Sequence, residues 1–351
     1  MPNFRPVNCS SSLDHNPNTD FTFAIKPDVA VYQASVDPDV RTDSSLAELF
    51  IEFKWCNEDD PFCDPYYVTA DGKTGKSFLK KSFLKDTKKA TDTLGQITSY
   101  AAIQLGSQFR THIFSVLIVR DLARIIRWDR SGAIVTEAIF YNQSSLLVDF
   151  FRRYSQAPPE MHGIDQSVSD PTPEEKNVAR RALVLGNDIP LVKLKIPSTG
   201  GCAPRYFITT TPRAAIYSPP GRATRGFRAY DISQAAICFL KDSWRVDLPD
   251  IQAEGLTYEA LKKANVRNVP ESVAYGDIST TKYHATKTLT YAKETWACSN
   301  FDHLIPHRHY RLALNVVGRS LLAFDSSYEM VAAVRDAIVG RFNRPFADEQ
   351  Y

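Results

Sequence analysis

Apolar residues fall into two rhythms along this chain, and each rhythm marks a different kind of element. Alternating or short continuous apolar runs at 29–32, 49–55, 112–119, 123–128 and 133–141 read as strands, with Asp129-Arg130-Ser131-Gly132 as a hairpin turn between the last two. From Thr87 onward, spacings of three and four place Leu94, Ile97, Ala101 and Leu105 on one helical face, and 143–154 reads as an amphipathic helix. Strand patterns resume at 191–196, 206–211, 227–230, 235–240 and 310–314, with helices over 252–264 and 327–338. Between these halves, residues 156–176 are rich in proline and charge, which is a linker composition. The pattern predicts an α+β protein with one domain over 1–155, a linker over 156–176 and a second domain over 177–351.

Composition narrows this picture only a little. A chain of 351 residues can bury two sizeable cores, and 43% hydrophobic with 23% charged residues argues against global disorder. A formal net charge of +2 selects no class of partner. The six cysteines, at 9, 56, 63, 202, 238 and 298, show no Cys-x-x-Cys spacing and read as reduced thiols rather than zinc ligands. The opening stretch MPNFRPVNCSSSLDHN lacks the apolar core of a signal peptide. No later run approaches the ~18 apolar residues of a membrane span, so the expected location is intracellular, cytoplasmic or nuclear, with no membrane partner. Basicity concentrates between Lys73 and Lys89, where Lys-Ser-Phe-Leu-Lys at 76–80 recurs at 81–85. Such a segment suits a nucleic-acid backbone; a solvated loop is the plain alternative.

Candidate chemistry gathers at two places. Alternation along 49–55 puts Glu52 and Lys54 on one face, with Ile51 and Phe53 pointing to the opposite, buried face. Asp28 opens the 29–32 run, so pairing the two strands would bring its carboxylate beside Glu52 as an oxygen-ligand pair for Mg²⁺, with Lys54 free to orient water. Gln96 and Tyr100 lie one turn apart on the following helix. The alternative is a solvated Glu-x-Lys pair on an edge strand. Farther on, Gly221 and Gly226 bracket a loop, Lys241 closes a strand and Glu254 starts a helix, with Glu259 a weaker substitute; glycines admit ATP phosphates and a strand lysine neutralises them. Hairpin glycines and a surface ion pair are the alternative there. Gly75-Lys76-Ser77 has Ala70 where a phosphate loop needs its first glycine, and His303, His307 and His309 lack a recognised ligand spacing, so both read as ordinary.

The first constellation resembles the PD-(D/E)xK nuclease superfamily, and more narrowly the nuclease-like region at the front of the fungal-type protein kinase family. The stretches IKPDVAVY at 25–32, ELFIEFKW at 48–55, GQITSYAAIQL at 95–105, RTHIFSVLIV at 110–119 and ARIIRWDRSGAIVTE at 123–137 carry the likeness. It implies a mixed sheet with helices, metal ligation by Asp28 and Glu52, a catalytic Lys54, and Gln96 and Tyr100 as supporting residues. About 25 residues precede Asp28, too few for the leading helix of that fold. Later, FLKDSWR at 239–245, EGLTYEALKKANVRNVP at 254–270, HRHYRLALNVVGRSL at 307–321 and MVAAVRDAI at 330–338 resemble the amino-terminal lobe of a fungal-type protein kinase, an antiparallel sheet plus helix. That likeness implies that Gly221, Gly226, Lys241 and Glu254 face ATP.

A kinase also needs a catalytic-loop Asp and Asn and an Asp-Phe-Gly, and none follows Lys241; His307-Arg308-His309 is a lookalike on a predicted strand. With Tyr351 falling where the catalytic lobe would begin, the expectation is a kinase-family chain that does not transfer phosphate by itself. Apolar surface around Val317, Leu321, Leu322 and Val334 would then be open to a protein partner. Two alternatives stand beside it. One is an Mg²⁺-dependent nucleic-acid phosphodiesterase through Asp28, Glu52 and Lys54, the other a nonenzymatic module that binds protein or nucleic acid.

Overall fold

The computed structural model describes residues 3–14, 25–37, 39, 42–70, 73–77, 82–197, 203–212, 218–278, 284–292, 294, 297 and 304–342. The chain is a mixed α+β protein that divides into two compact units. The first takes residues 1–166, 212–223 and 282–307; the second takes 167–211, 224–281 and 308–351.

The first unit is built on a six-stranded sheet of β1 (Phe4–Asn8), β2 (Val29–Gln33), β3 (Leu49–Lys54), β6 (Ile113–Val119), β7 (Leu122–Asp129) and β8 (Gly132–Val135), in that order. A separate hairpin of β4 (Tyr66–Ala70) and β5 (Lys73–Ser77) follows β3. Helix α1 (Lys88–Ser107) then crosses over, which lets β3 pair parallel to β6. Thr87 caps it, accepting from the Ala90 amide. Every other residue of β3 meets α1: Phe50 packs with Tyr100 and Ile103. Leu49 and Ile51 face the other way, under Phe150, Phe151 and Tyr154 of α2 (Leu146–Gln156). Each face of β3 is therefore covered by one helix.

Buried polar groups lock this arrangement. Gln104 of α1 donates to the Ala47 and Glu48 carbonyls at the mouth of β3. Burial pushes the Glu48 carboxyl up, but Arg110 at 3.0 Å and Gln33 at 2.7 Å outweigh it and hold it below its ordinary value. Before Asp28, the described residues carry only β1 and loop, with no helix. Strand β8 is shorter than its apolar pattern: beyond it Arg124 donates to the Thr136 carbonyl and Asp64 accepts from the Ala138 amide, and Ile139 then rejoins β7 opposite Ala123.

Segments 212–223 and 282–307 return to this unit through the turn after β7. Asp129 accepts from the Lys287 and Thr288 amides and the Thr288 hydroxyl, while Arg130 reaches the Pro219 carbonyl and receives the Gly221 amide on its own carbonyl.

The second unit is a seven-stranded sheet in the order β14 (Ser272–Asp277), β15 (His307–Leu314), β13 (Ala236–Val246), β12 (Arg225–Asp231), β11 (Arg205–Thr210), β10 (Leu191–Ile196), β9 (Val168–Ser169). Helix α3 (Pro173–Leu183) packs Ala179 and Leu183 on Leu191, Ile208 and Tyr230, and α4 (Glu254–Lys263) packs Tyr258 beside Tyr310 and Leu312. Much of 156–176 is ordered: Pro159 opens a 3-10 turn and Pro173 the first turn of α3, where Thr172 and Glu175 form a capping box. Helix α5 (Ser327–Phe342) comes last, and Val317, Leu321, Leu322 and Val334 are all exposed. Among the described residues, no helix is long and apolar enough to cross a membrane. Among the described residues, Cys9, Cys56, Cys63 and Cys238 are in no disulfide; Cys202 and Cys298 lie outside the described residues.

Candidate functional site

Strand β3 loses one neighbour midway, and that loss builds the first site. Its register with β2 ends at Val29↔Ile51, whereas its parallel pairing with β6 runs on to Lys54↔Val119. The Phe53 amide, left without a strand partner on the β2 side, donates to Asp28 Oδ2 at 2.8 Å. A carboxylate thus replaces the missing ladder bond, and the chain turn at Pro27-Asp28 is held against the end of β3.

On the α1 side of that strand, Lys54 Nζ contacts Glu52 Oε1 at 2.6 Å and Gln96 Oε1 at 2.8 Å. Gln96 Nε2 donates to the Tyr100 hydroxyl at 2.6 Å, and Tyr100 donates to the Lys26 carbonyl at 2.8 Å. One chain of hydrogen bonds therefore runs from Glu52 through Lys54, Gln96 and Tyr100 to the segment bearing Asp28. Glu52 is 3% exposed, and its Oε2 has no hydrogen-bond partner among the described residues. Burial raises the Glu52 carboxyl above its ordinary value and the Asp28 charge adds to this, with Lys54 opposing but not winning. Burial likewise raises the Tyr100 hydroxyl, reinforced by the Glu52 charge.

Two expectations need correction here. The pair is not a solvated one on an edge strand, since β3 is interior and Glu52 is buried. Nor is Phe53 buried beside Ile51: it is 48% exposed, because the cover from α2 reaches Leu49 and Ile51 and stops there. Three lysines of the lysine-rich segment lie beside acids. Lys85 lies 3.6 Å from Asp60, Lys88 2.7 Å from Asp92 and Lys89 3.6 Å from Glu58. Phe78, Lys80 and Lys81 lie outside the described residues.

In the second unit, Lys241 on β13 meets Glu254 Oε2 at 2.6 Å. Glu254 is the first residue of α4, where the helix dipole favours a carboxylate. The neighbouring Gly255 explains how the helix comes this close. A Cβ there would lie 2.1–2.5 Å from Tyr275 ring atoms, so only glycine fits, and its amide donates to the Tyr310 hydroxyl at 2.8 Å. Neither Gly255 nor Tyr310 stands out in the sequence, beyond a glycine in the first turn of a helix where glycine is disfavoured. Glu259 is engaged elsewhere, beside Tyr275, whose hydroxyl burial pushes up to about 12 with help from that carboxylate.

The two expected loop glycines part company. Gly226 is in β12, opposite Lys241, and a Cβ there would strike the Phe239 ring at 2.8 Å; it is small for packing. Gly221 belongs to the first unit and has φ +112, which glycine adopts without strain, with open space where a Cβ would stand. His307 and His309 lie on β15, where His309 bonds Asp242 at 2.7 Å and stacks on Trp244; His303 lies outside the described residues.

No curated protein and no solved structure matches the chain. The family model described as "Fungal protein kinase" matches residues 79–343, which takes in α1, the whole second sheet, Lys241 and Glu254, and leaves Asp28, Glu52 and Lys54 before it. That match covers more than half of the 351 residues, and the chain belongs to the fungal protein kinase family.

Proposed function

We propose that the second unit is the nucleotide-holding lobe of a fungal-type protein kinase, with Lys241 against the phosphates of ATP and Glu254 fixing its position. The observation that carries this reading is the Lys241–Glu254 contact at 2.6 Å, made between an inner strand and the helix packed beside it. In protein kinases a strand lysine and a helix glutamate must be paired for phosphoryl transfer, because the glutamate orients a cation that would otherwise sample many rotamers. With Glu254 at a helix start, both partners have a fixed backbone. The antiparallel pairing of β12 with β11 and with Lys241-bearing β13, and of β14 with β15, is consistent with such a lobe. The catalytic-loop base and the Asp-Phe-Gly that holds magnesium do not occur in residues 242–351, so these residues are assigned phosphate holding and not proton abstraction. A fluorescent ATP analogue titrated into the full chain tests it. Wild type binds, and Lys241→Met weakens binding at least about tenfold; equal binding by the variant overturns the reading.

A second reading concerns the first unit, and Glu52 Oε2, which has no hydrogen-bond partner among the described residues, favours it. An acceptor oxygen buried without a donor is costly, and a divalent cation shared with Asp28 would satisfy it. The donor set is two carboxylates, which suits the hard Mg²⁺ or Mn²⁺. The cation, when bound, would supply charge neutralisation and an activated water for attack on a phosphodiester. Lys54, held between Glu52 and Gln96, would face the developing negative charge, and Tyr100 would hold the Asp28 segment in place. Calorimetric titration with Mg²⁺ and Mn²⁺, alongside digestion of single- and double-stranded DNA and RNA, is the test. Wild type binds and cuts; Glu52→Gln and Lys54→Met do not cut. Absence of cation binding by wild type sinks this reading, and failure of both tests would leave a nonenzymatic binding module.

A further inference from the structure

We propose that Tyr310 is a positioning residue that registers Glu254 against Lys241, holding the start of α4 to the sheet in place of a side-chain cap. This rests on the nucleotide-holding reading above and names what sets the geometry of that site; every residue involved belongs to the second unit. Helix α4 cannot set its own start. It has ten residues, Ala253 at its N-cap makes no side-chain hydrogen bond, and Gly255 stands in its first turn. A helix that short is marginal alone, alanine offers the orphan amides no acceptor, and glycine weakens a helix. The Lys241–Glu254 pair cannot set it either. The two side chains are 20% and 32% exposed, and an ion pair open to water is worth less than a buried amide costs when it is left without an acceptor.

The sheet supplies what the helix lacks. Gly255 is buried, and its amide donates to the Tyr310 hydroxyl at 2.8 Å, the bond that a serine or aspartate N-cap would otherwise accept. Tyr310 is 1% exposed on β15, which lies between β14 and the Lys241-bearing β13. Burial raises its hydroxyl above the ordinary value, with the Gly255 amide opposing and the Glu254 charge adding, so the acceptor is a neutral phenol. On β14, the Tyr275 ring is the stop: a Cβ at Gly255 would lie 2.1 Å from it, so the helix backbone rests directly on the ring. One contact draws the helix start to the sheet and the other limits how near it comes. Glu254, one residue before the tethered amide, is thereby delivered to Lys241 at 2.6 Å. Tyr310 thus acts on Lys241 through the helix backbone and Glu254.

The experiment takes two readings on the full chain: titration with a fluorescent ATP analogue and, without nucleotide, the rate at which an amine-acetylating reagent labels Lys241, followed by peptide mass spectrometry. Tyr310→Phe keeps the ring and removes the acceptor. It is expected to weaken analogue binding about fivefold, the scale of one hydrogen bond, and to speed Lys241 labelling toward the rate of Glu254→Gln. A positioning role predicts that both effects vanish in the Glu254→Gln background, where no carboxylate is left to position. Equal effects in the two backgrounds, the mark of a merely structural residue, or no effect of Tyr310→Phe on either reading, overturns the proposal. Should circular dichroism show that Tyr310→Phe does not fold, Ala253→Ser added to it gives the Gly255 amide a local acceptor. Folding should then return while Lys241 labelling stays fast, because a cap within the helix does not tie it to the sheet; a return of wild-type slow labelling overturns the proposal. If wild type binds no analogue while the labelling pattern holds, the nucleotide reading falls and the positioning of Glu254 by Tyr310 stands.

Discussion

Two lysine–glutamate pairs in this chain share one contact distance and differ in everything around it. Lys54–Glu52 and Lys241–Glu254 each close to 2.6 Å, and the lysines are similarly exposed at 21% and 20%. The glutamates are not alike: Glu52 is 4% exposed at its side chain and Glu254 32%. Water can solvate what Lys241 leaves unsatisfied on Glu254. At Glu52 it cannot, so one carboxylate oxygen has no donor among the described residues and burial raises the carboxyl. An ion pair is therefore not a site by itself; what distinguishes the two is how much of the acid's hydrogen-bonding capacity the fold leaves open. In the proposed reading the first pair takes a further cation, and the second, whose glutamate is partly solvated, leaves its lysine to face an anion.

That contrast can be broken at several points, of which cation binding is expected to have the largest effect. Any ligand bound only by the folded chain stabilises it, by about 2.7 kcal/mol at a hundredfold excess over its Kd. Mg²⁺ should raise the melting temperature of wild type and of Glu254→Gln, but not of Glu52→Gln. Stabilisation of Glu52→Gln to the wild-type extent would erase the distinction.

Removing the lysines should give smaller, unequal losses. Lys54→Met leaves Glu52 buried without its lysine partner and should cost about 2–3 kcal/mol in guanidinium unfolding of the metal-free chain. Lys241→Met leaves a partly solvated glutamate and should cost less than about 1 kcal/mol. Equal costs would mean that burial does not separate the two pairs.

The smallest effect is in pH. Because the folded chain raises the Glu52 carboxyl, it favours the protonated form; that contribution is full below the unfolded value of about 4.3 and is lost as pH rises through the raised one. In metal-free protein, wild type should therefore lose stability relative to Glu52→Gln as pH rises above the unfolded carboxyl value of about 4.3. A difference that stays flat, or grows in the opposite sense, would show that Lys54 fully compensates the buried charge.

How much of this was legible depended on whether the cause was local. Alternation in 49–55 and spacings of three and four after Thr87 located β3 and α1, and so placed Glu52, Lys54, Gln96 and Tyr100 on facing surfaces. A lysine in a strand and a glutamate at a helix start similarly pointed to Lys241 and Glu254. Causes that act across the chain left no such trace. Phe53 continues the apolar rhythm of β3, yet it is exposed because α2, a hundred residues on, does not reach it. Segments 212–223 and 282–307 join the first unit through backbone groups that bond Asp129 and Arg130, and backbone groups have no sequence signature. Gly255 is required by the Tyr275 ring, which a pattern of spacings does not bring near it. Gly226 was assigned to a phosphate loop on spacing, whereas its smallness accommodates Phe239 on the adjacent strand.

The most direct test of the account is one thermal-unfolding series on wild type, Glu52→Gln and Lys241→Met, with Mg²⁺ added first and ATP then added at constant Mg²⁺. Two separate sites predict two separable shifts: Glu52→Gln loses the Mg²⁺ shift and keeps the ATP shift, and Lys241→Met does the reverse. If either variant loses both shifts, or if wild type responds to neither addition, the division of phosphate chemistry between the two lysine–glutamate pairs is wrong.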